Sequence, residues 1–531
     1  MTESLYVNDR GLYPFQVDDV ARGYLMPSGI VAWDTGTGKS HWAMATACLL
    51  VEDGVIDLVL VIAEKNKIGA DEWLGDWERF TRLTAHRYHG TGRQKRLEKA
   101  GMPQVLITTY ETAKADLVRS VPTPNGRGKT LSPGPLADLI GDRRVFVVYD
   151  EPTVKIANRT SDNYKQHYWF LNRYLRKINP DTRAWGLTAT PLDSGWENVF
   201  NQARLIDPST MPTVKVFEDT YISSRDPYGR PTYRTALMPG FAKSFQKMIL
   251  RRRKTDPELI DQFPKMVEEA HHVQMGDVQR AFYEMVEGIA YPEPTPDIPD
   301  PEPEPGALML MRQIAGHPSA IINSKGMLAR ILVEELGADY IRSIPSAKTE
   351  WLVEYLTPLV LGQRAKVVVF TFFGPSIIPL LAAELRRKKM TVFTHYGEQS
   401  TAEMERSRRE FRAYDGPAVF LTSDAGARGI NLPEATYLVE YESALSFANR
   451  TQRINRIHRI DSLAPSTHAM TAFLDDTVEE SLGMSMATRN EQHDIAVGDD
   501  IHGGENFLSA AERKAALRIA RDRHKTRRKA A

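Results

Sequence analysis

The chain has 531 residues, of which 42% are hydrophobic and 26% are charged, a composition typical of folded globular proteins rather than fibrous or disordered ones. Its 68 lysines and arginines balance 68 acidic residues, so the net charge indicates neither a nucleic acid nor a membrane as partner. The single cysteine, Cys48, excludes an internal disulfide and a cysteine-based zinc site. Because no secretory signal is recognisable and the apolar runs are too short to span a bilayer, we expect a cytoplasmic protein without a membrane partner.

Short apolar runs alternate with helical stretches in two parts of the chain, and seven of these runs are predicted to form buried parallel strands. They lie at residues 57–64, 104–111, 144–151, 366–372, 390–396, 418–423 and 435–441. Because strands that alternate with helices build parallel sheets, the pattern predicts an α/β fold with two tandem doubly wound parallel-sheet domains.

A long middle section separates the two sets of strands. Residues 208–346 are predicted to be mostly helical, with the clearest helical patterns at residues 279–286 and 308–316. The Pro/Glu-rich tract at residues 291–306 cannot hold a regular helix and is predicted to be an extended insert. The expected order is an N-terminal α/β domain, a helical section with the insert, a second α/β domain and a C-terminal segment with a basic tail. Their expected bounds are residues 1–208, 209–345, 346–485 and 486–531.

The most specific motif is a glycine-rich segment at residues 32–40, which follows an apolar run and opens a helical stretch. Glycines let backbone N–H groups close around phosphate oxygens, and the N-terminus of a helix adds partial positive charge. We expect Lys39 to reach the β- and γ-phosphates of a nucleotide and the Ser40 hydroxyl to bind Mg²⁺. The alternative is a chance glycine-rich turn. Residues 126–130 end in the same letters but lie among prolines, so we interpret them as a surface loop.

Two further segments carry side chains suited to phosphate chemistry. Asp150 and Glu151 end an apolar run, where an aspartate can hold Mg²⁺ and a glutamate can orient and polarise the attacking water. The alternative is an acidic turn. As a helix, residues 452–459 would present Gln452, Arg456 and Arg459 on one face, from which arginines could reach a γ-phosphate. A solvated basic helix is the alternative there.

In this order, the segments resemble a superfamily 2 helicase-type motor and are most similar to the Swi/Snf-type DNA translocases. The resembling segments are residues 13–16 for the adenine-reading motif, 34–40 for motif I, 58–66 for motif Ia, 108–111 for the next DNA-contacting motif, 150–153 for motif II, 188–191 for motif III, 252–254 for the linker, 310–318 for the protrusion, 370–372 for motif IV, 425–432 for motif V and 452–459 for motif VI. Trp33 replaces the leading acid of motif I, Asp34 its glutamate, and Thr153 the histidine of motif II. The short chain is similar to minimal phage or bacterial versions, which would place it in a host or bacterial cytoplasm.

The resemblance implies two tandem RecA-like lobes with helical insertions, ATP and Mg²⁺ as cofactors, and a set of site residues. The implied catalytic residues are Lys39, Asp150, Glu151, Gln452, Arg456 and Arg459. The residues implied to bind the nucleotide are Gln16, Asp34, Thr35, Gly36, Thr37, Gly38, Lys39, Ser40 and Gly429, and of the implied site residues Ser40 and Asp150 would bind the metal. The residues implied to contact nucleic acid are Lys65, Thr109, Tyr110, Thr371 and Thr422.

The function that the resemblance implies is an ATP-dependent DNA helicase or translocase that moves along or remodels DNA in replication, recombination or repair. Duplex or branched DNA would be held mainly through its backbone, and a monomer is the simplest expectation. The alternatives are a hydrolysis-impaired DNA-binding scaffold, suggested by Trp33 and Thr153, an RNA-directed helicase, and a P-loop phosphotransferase without nucleic acid. The basic tail at residues 512–531 is either a DNA anchor or a solubilising end.

Overall fold

The computed structural model falls into two compact units, and the chain passes from the first to the second between Asp261 and Gln262. It describes residues 4–8, 11–69, 72–123, 128–189, 191, 196–225, 229, 231–290, 306–424, 430–444, 447–480 and 482. The basic tail and nearly all of the Pro/Glu-rich insert lie outside these residues. The domain bounds expected from the sequence stay predictions.

The first unit is built on a parallel sheet of seven strands in the order β11-β1-β8-β7-β2-β4-β3. The strands of this unit are β1 (Ser28–Trp33), β2 (Leu58–Ala63), β3 (Ala85–Tyr88), β4 (Val105–Thr109), β5 (Val118–Pro122), β6 (Lys129–Pro133), β7 (Val145–Asp150), β8 (Arg183–Leu187), β9 (Ile222–Arg225), β10 (Pro231–Tyr233) and β11 (Ile249–Arg252). Every residue of β1, β2, β4 and β7 is buried, as expected for parallel strands covered on both faces. The predicted strands in this half are confirmed.

Helices cover the faces of this sheet and connect its strands. They are α1 (Pro14–Leu25), α2 (Lys39–Glu52), α3 (Trp73–Phe80), α4 (Arg93–Ala100), α5 (Tyr110–Leu117), α6 (Pro135–Ile140), α7 (Pro152–Lys155), α8 (Asp162–Trp169), α9 (Arg176–Ile178), α10 (Trp196–Ile206), α11 (Val214–Tyr221) and α12 (Met238–Gln246). The interpretation of residues 126–130 as a surface loop was wrong for the last two residues, which belong to a strand. Lys129 and Thr130 are exposed but begin β6, which pairs with β5 in an antiparallel hairpin.

The second unit contains a parallel sheet of six strands in the order β12-β17-β16-β13-β15-β14. Its strands are β12 (Lys265–Val273), β13 (Lys366–Thr371), β14 (Val392–His395), β15 (Ala418–Ser423), β16 (Tyr437–Glu440) and β17 (Ser466–Leu474). The middle section, predicted to be mostly helical, also contains the strands β9, β10, β11 and β12. Of these, β11 and β12 belong to the two parallel sheets. Both strands lie at the edge of their sheets, and β12 is mostly exposed, so neither needs the apolar run by which a buried strand is recognised.

The helices of the second unit include both segments with the clearest helical patterns. They are α13 (Asp277–Ala290), α14 (Ala307–Gly316), α15 (Met327–Leu336), α16 (Ala338–Ser343), α17 (Ala347–Thr357), α18 (Gly374–Arg387), α19 (Thr401–Ala413) and α20 (Phe447–Ile454). Residues 279–286 lie in α13 and residues 308–316 in α14, which confirms both predictions. None of the helices in the described part of the chain is long and apolar enough to cross a membrane.

Candidate nucleotide-binding site

The glycine-rich loop leaves β1 at Trp33 and enters α2 at Lys39. Gly36 and Gly38 have φ angles of 86° and 90°, in the left-handed region that glycine adopts without strain. A Cβ atom on Gly38 would lie only 2.4 Å from Nε2 of Gln16, so a side chain there would displace the Gln16 amide from its place beside the loop. Because α2 begins directly after Gly38, the backbone N–H groups of its first turn lie beside the loop. This is the arrangement of an anion-binding site.

Lys39 is folded back onto this loop. Its Nζ donates a hydrogen bond to the carbonyl oxygen of Trp33 at 3.0 Å. Burial lowers the pKa of Lys39 to about 8, although the carboxylates of Glu151 and Asp150 act in the opposite direction. A buried ammonium held by a neutral carbonyl oxygen would gain from exchanging that partner for a charged phosphate oxygen.

Asp150 lies at the end of β7 and is held by three side chains. Its Oδ2 accepts hydrogen bonds from Nζ of Lys67 at 3.0 Å and from Nε1 of Trp73 at 2.9 Å. The hydroxyl of Tyr110 donates to the Asp150 carbonyl oxygen at 2.9 Å. Burial by itself would lower the pKa of Lys67. The nearby carboxylates of Asp150 and Glu151 have the larger combined effect, so the pKa of Lys67 is raised. Lys67 and Trp73 were not predicted as site residues from the sequence; their positions near motif Ia were the available signal.

Glu151 adopts a backbone conformation that is uncommon for a side-chain-bearing residue. Its φ angle is 48°, in the left-handed region, and its N–H donates to the carbonyl oxygen of Leu187 at 2.8 Å. Pro152 follows directly and begins α7. Strained backbone of this kind is found preferentially at functional sites, because the surrounding structure must hold it. The turn places Glu151 directly after Asp150, at the carboxyl end of β7.

Gln16 connects α1 to the glycine-rich loop. Its Nε2 donates to the carbonyl oxygen of Thr37 at 2.9 Å, and its Oε1 accepts from the N–H of Tyr13 at 3.0 Å. The Thr37 hydroxyl in turn donates to the Asp34 carbonyl oxygen at 2.7 Å. Thr35 and Ser40 are half-buried members of the same loop region. Contact of Gln16 with adenine stays a prediction.

The arginines of residues 452–459 do not lie on one continuous helix, so the prediction of a shared helical face was wrong. Helix α20 ends at Ile454, and the carbonyl oxygen of Arg456 accepts a hydrogen bond from the N–H of Leu432 instead of continuing the helix. Nη1 of Arg456 donates to the Ile430 carbonyl oxygen at 3.2 Å, and Nη1 of Arg459 donates to Oδ1 of Asn431 at 2.8 Å. The segments that resemble motifs V and VI are therefore joined by hydrogen bonds within the second unit.

Arg453 is a buried anchor of the same region that was not predicted from the sequence. It is 2% exposed, and its guanidinium binds both carboxylate oxygens of Asp424 at 2.6 and 2.8 Å. Oε1 of Glu440 accepts a further hydrogen bond at 3.1 Å. Burial opposes the charge of Arg453, but Asp424 and Glu440 raise its pKa above the usual value. Gln452, beside it on α20, is half-buried.

Comparison with known protein families matches residues 21–315, more than half of the chain, to the SNF2-related domain. The chain belongs to the SNF2-related family. Residues 347–461 match the helicase conserved C-terminal domain. The two parallel sheets are thus the tandem RecA-like lobes that the resemblance implied.

Individual relatives of this SNF2-related chain are distant. The ATP-dependent DNA helicase DDM1 of Arabidopsis thaliana is 24% identical over 464 residues, which cover 82% of this chain and 55% of DDM1. The pre-mRNA-splicing ATP-dependent RNA helicase PRP28 of Lodderomyces elongisporus is 27% identical over 120 residues, 23% of this chain and 19% of PRP28. The chain therefore spans about half or less of the length of these relatives. The Hef helicase domain of Pyrococcus furiosus has a TM-score of 0.53 at 14% identity, covering 89% of this chain and 98% of that domain, and supports the fold.

Four of the five residues expected to contact nucleic acid have buried side chains in this SNF2-related structure. Lys65 is exposed, whereas Thr109, Tyr110, Thr371 and Thr422 are at most 1% exposed. A contact of the Tyr110 ring with nucleic acid is incompatible with this burial, and we correct its role to holding Asp150. The hydroxyls of Thr371 and Thr422 donate to Glu442 and to the His395 carbonyl oxygen, so contacts there would have to use backbone groups. Gly429 lies outside the described residues.

Proposed function

We propose that this chain is an ATP-dependent motor that moves along or remodels DNA. The observation that carries the proposal is the convergence of Lys39, Asp150 and Glu151 at the carboxyl ends of β1 and β7, where open α/β sheets bind ligands. This arrangement occurs in a chain that combines an SNF2-related domain with a helicase C-terminal domain.

The residues of the loop fit a nucleoside triphosphate with Mg²⁺. The left-handed Gly36 and Gly38 open the loop for phosphate oxygens, and the Lys39 ammonium lies beside it. Mg²⁺ keeps several waters and is bound by one or two protein oxygens together with substrate phosphates. Ser40 at the start of α2 and Asp150 at the end of β7 supply this donor set. When bound, the ion would neutralise charge on the phosphates.

The side chains of the first unit have distinct tasks in this proposal. Lys39 binds the β- and γ-phosphates, while Lys67, Trp73 and Tyr110 hold Asp150 in place. The Glu151 carboxylate orients the attacking water and accepts its proton. The roles proposed for Gln452, Arg456 and Arg459 in ATP hydrolysis, and a cytoplasmic location, stay predictions from the sequence.

DNA is favoured over RNA as the track. The resemblance to DDM1, which is named a DNA helicase, extends over most of this chain, whereas that to the RNA helicase PRP28 covers less than a quarter. The catalytic acid and the lysine of the loop also argue against a hydrolysis-impaired scaffold, because Trp33 and Thr153 leave Lys39, Asp150 and Glu151 in place.

An exposed basic surface on the first unit supports a nucleic-acid partner. Residues 79–99, which run from the end of α3 through β3 to α4, carry seven lysines and arginines against one glutamate. Six of the seven are exposed, while Arg93 is bound by both carboxylate oxygens of Asp116 at 2.6 and 2.7 Å. We call residues 79–99 the basic surface. Such clustering is the electrostatic footprint of phosphate binding even in a chain with no net charge.

Neutralising the basic surface is expected to weaken DNA binding and its dependence on salt. In the triple variant Arg87→Ala/Lys95→Ala/Lys99→Ala, the slope of log K against log[salt] should fall by about 0.9 for each phosphate that the surface no longer neutralises. Fluorescence anisotropy with duplex DNA, at salt concentrations from about 50 mM to about 300 mM, measures the slope. The matched control removes three exposed lysines elsewhere on the same unit, Lys177, Lys243 and Lys247. Equal slopes in both triple variants would contradict the proposed binding of DNA by the basic surface.

The motor activity is tested by ATP turnover with and without duplex DNA, followed by two displacement assays. Release of a third strand from a triplex reports translocation along duplex DNA, whereas release of one strand from a duplex reports unwinding. The proposal expects DNA to raise ATP turnover and triplex displacement to require ATP. ATP turnover that duplex DNA, single-stranded DNA and RNA all leave unchanged would instead favour the phosphotransferase alternative.

A further inference from the structure

Polar groups from three separate elements meet beside the glycine-rich loop, and two of them, on Asp19 and Trp33, are buried while the third, on Arg252, is half-buried. Asp19 on α1 is completely buried, and its Oδ2 accepts a hydrogen bond from Nε1 of Trp33 at 3.0 Å. The Arg252 guanidinium on β11 binds the same carboxylate with Nε on Oδ2 and Nη2 on Oδ1, both at 2.9 Å. A buried carboxylate with this bidentate partner is charge-compensated, and removing one partner would leave the other costly to bury. We call Asp19, Trp33 and Arg252 the Asp19 bracket.

The next residue of the loop is tied to the same strand end. The N–H of Asp34 donates to the Arg252 carbonyl oxygen at 2.9 Å, which continues the parallel pairing of β1 with β11. The Asp34 carboxylate contacts Nη1 of Arg251 at 3.0 Å and accepts from the N–H of Lys254 at 3.0 Å. Hydrogen bonds and an ion pair therefore connect the start of the loop to the end of β11 and the residues that follow it.

The bracket also accounts for the departure at position 33. The resemblance expects an acid at the first position of motif I, where this chain has a completely buried tryptophan. Asp19 supplies a carboxylate from α1 in its place, one helical turn after Gln16, whose amide binds the Thr37 carbonyl oxygen. Helix α1 thus binds the first and the middle residues of the loop at once.

Lys39 connects the bracket to the proposed phosphate site. Its Nζ donates to the carbonyl oxygen of Trp33 at 3.0 Å, so turning Lys39 toward a phosphate removes this hydrogen bond from the residue whose indole binds Asp19. A continuous series of contacts then runs from the phosphate site through Lys39, Trp33, Asp19 and Arg252 to the end of β11. Strand β11 is the last strand of the first unit before the chain enters the second at Gln262.

We propose that Asp19 is a positioning residue that transmits nucleotide occupancy of the loop, through Trp33 and Arg252, to the end of β11. The proposal rests on the proposed function, because it assumes that the loop binds ATP. It assigns to Trp33 a task in coupling ATP binding to the segment that leads out of the first unit, rather than in the chemical step.

The test uses Trp33→Phe in the full chain, which removes the indole N–H donor and the second ring of the side chain but keeps one aromatic ring. The matched control is Trp185→Phe, a completely buried tryptophan on the neighbouring strand β8 whose Nε1 has no hydrogen-bond partner among the described residues. Amide hydrogen exchange of residues 249–254 is measured with and without a non-hydrolysable ATP analogue. In the wild type and in Trp185→Phe the analogue is expected to slow exchange of this segment at least threefold, and in Trp33→Phe this change is expected to disappear while the analogue still binds.

Two outcomes would overturn the proposal: no nucleotide effect on residues 249–254 in the wild type, or the same effect in Trp33→Phe. Arg252→Lys, which keeps the charge but loses the bidentate fork, serves if Trp33→Phe does not fold and is expected to lose the nucleotide effect likewise. DNA-stimulated turnover is the second readout, expected to fall at least fivefold in Trp33→Phe relative to Trp185→Phe. A wild type that DNA does not stimulate would contradict the proposed motor function, and hydrogen exchange would still decide on the Asp19 bracket.

Discussion

Replacing Glu151 with glutamine is expected to reduce ATP turnover by about a thousandfold while ATP still binds, because general-base catalysis contributes roughly 10²- to 10⁴-fold. Glutamine keeps the size of the side chain and its position after β7, but its amide cannot accept the proton of the attacking water. Turnover is measured by phosphate release, and binding by a fluorescent ATP analogue.

The control for this variant is Glu111→Gln, on α5, where the carboxylate pairs with Nζ of Lys155 at 2.7 Å on the surface of the same unit. Its turnover is expected to stay within twofold of the wild type, because surface ion pairs contribute little to stability. If Glu151→Gln hydrolyses ATP at the wild-type rate, the proposed role of Glu151 as the catalytic base is wrong.

Replacing Lys39 with methionine is expected to abolish detectable ATP turnover and the rise in melting temperature that ATP gives the wild type. The nucleotide-free variant should melt no lower than the wild type at pH 7. Folding buries the ammonium, and burial lowers the pKa of Lys39 to about 8. This unfavourable contribution is fully present below pH 8 and disappears as the pH rises toward the usual value of 10.5. The free energy of unfolding of the wild type therefore gains from this group as the pH rises, and that of Lys39→Met does not.

The same lowered pKa predicts a pH dependence of ATP binding. Phosphates require the protonated ammonium, so wild-type affinity should fall above pH 8, by up to about tenfold per pH unit, with uptake of a proton on binding. Titration calorimetry in buffers of different ionisation enthalpy measures both quantities. Lys177→Met, at an exposed position outside the site, should show the wild-type profile. An affinity that does not change from about pH 7 to about pH 9 would show that ATP binding is not coupled to protonation of Lys39.

The buried strands and the phosphate loop could be predicted from the sequence because their signals are local. Strand β2 is apolar throughout, β4 and β7 begin as apolar runs, and the loop has its glycines at fixed spacing. Edge strands lack this signal, which is why β12 was missed. The hydrogen bond from Lys67 to Asp150 joins residues 83 positions apart, and that from Arg252 to Asp19 joins residues 233 positions apart. Contacts of this kind depend on tertiary packing, which spacing within one segment does not encode.

The pairing of β12 has a consequence for how the chain is synthesised. Strand β12 is at the edge of its sheet and, among the described strands, pairs only with β17, which lies about two hundred residues further along the chain. The first unit has all of its sheet by Arg252 and can fold while the ribosome is still translating, whereas β12 waits for its neighbour until residue 474 has emerged. A nascent chain that stalls before β17 therefore displays an unpaired strand edge, the type of surface on which chains aggregate.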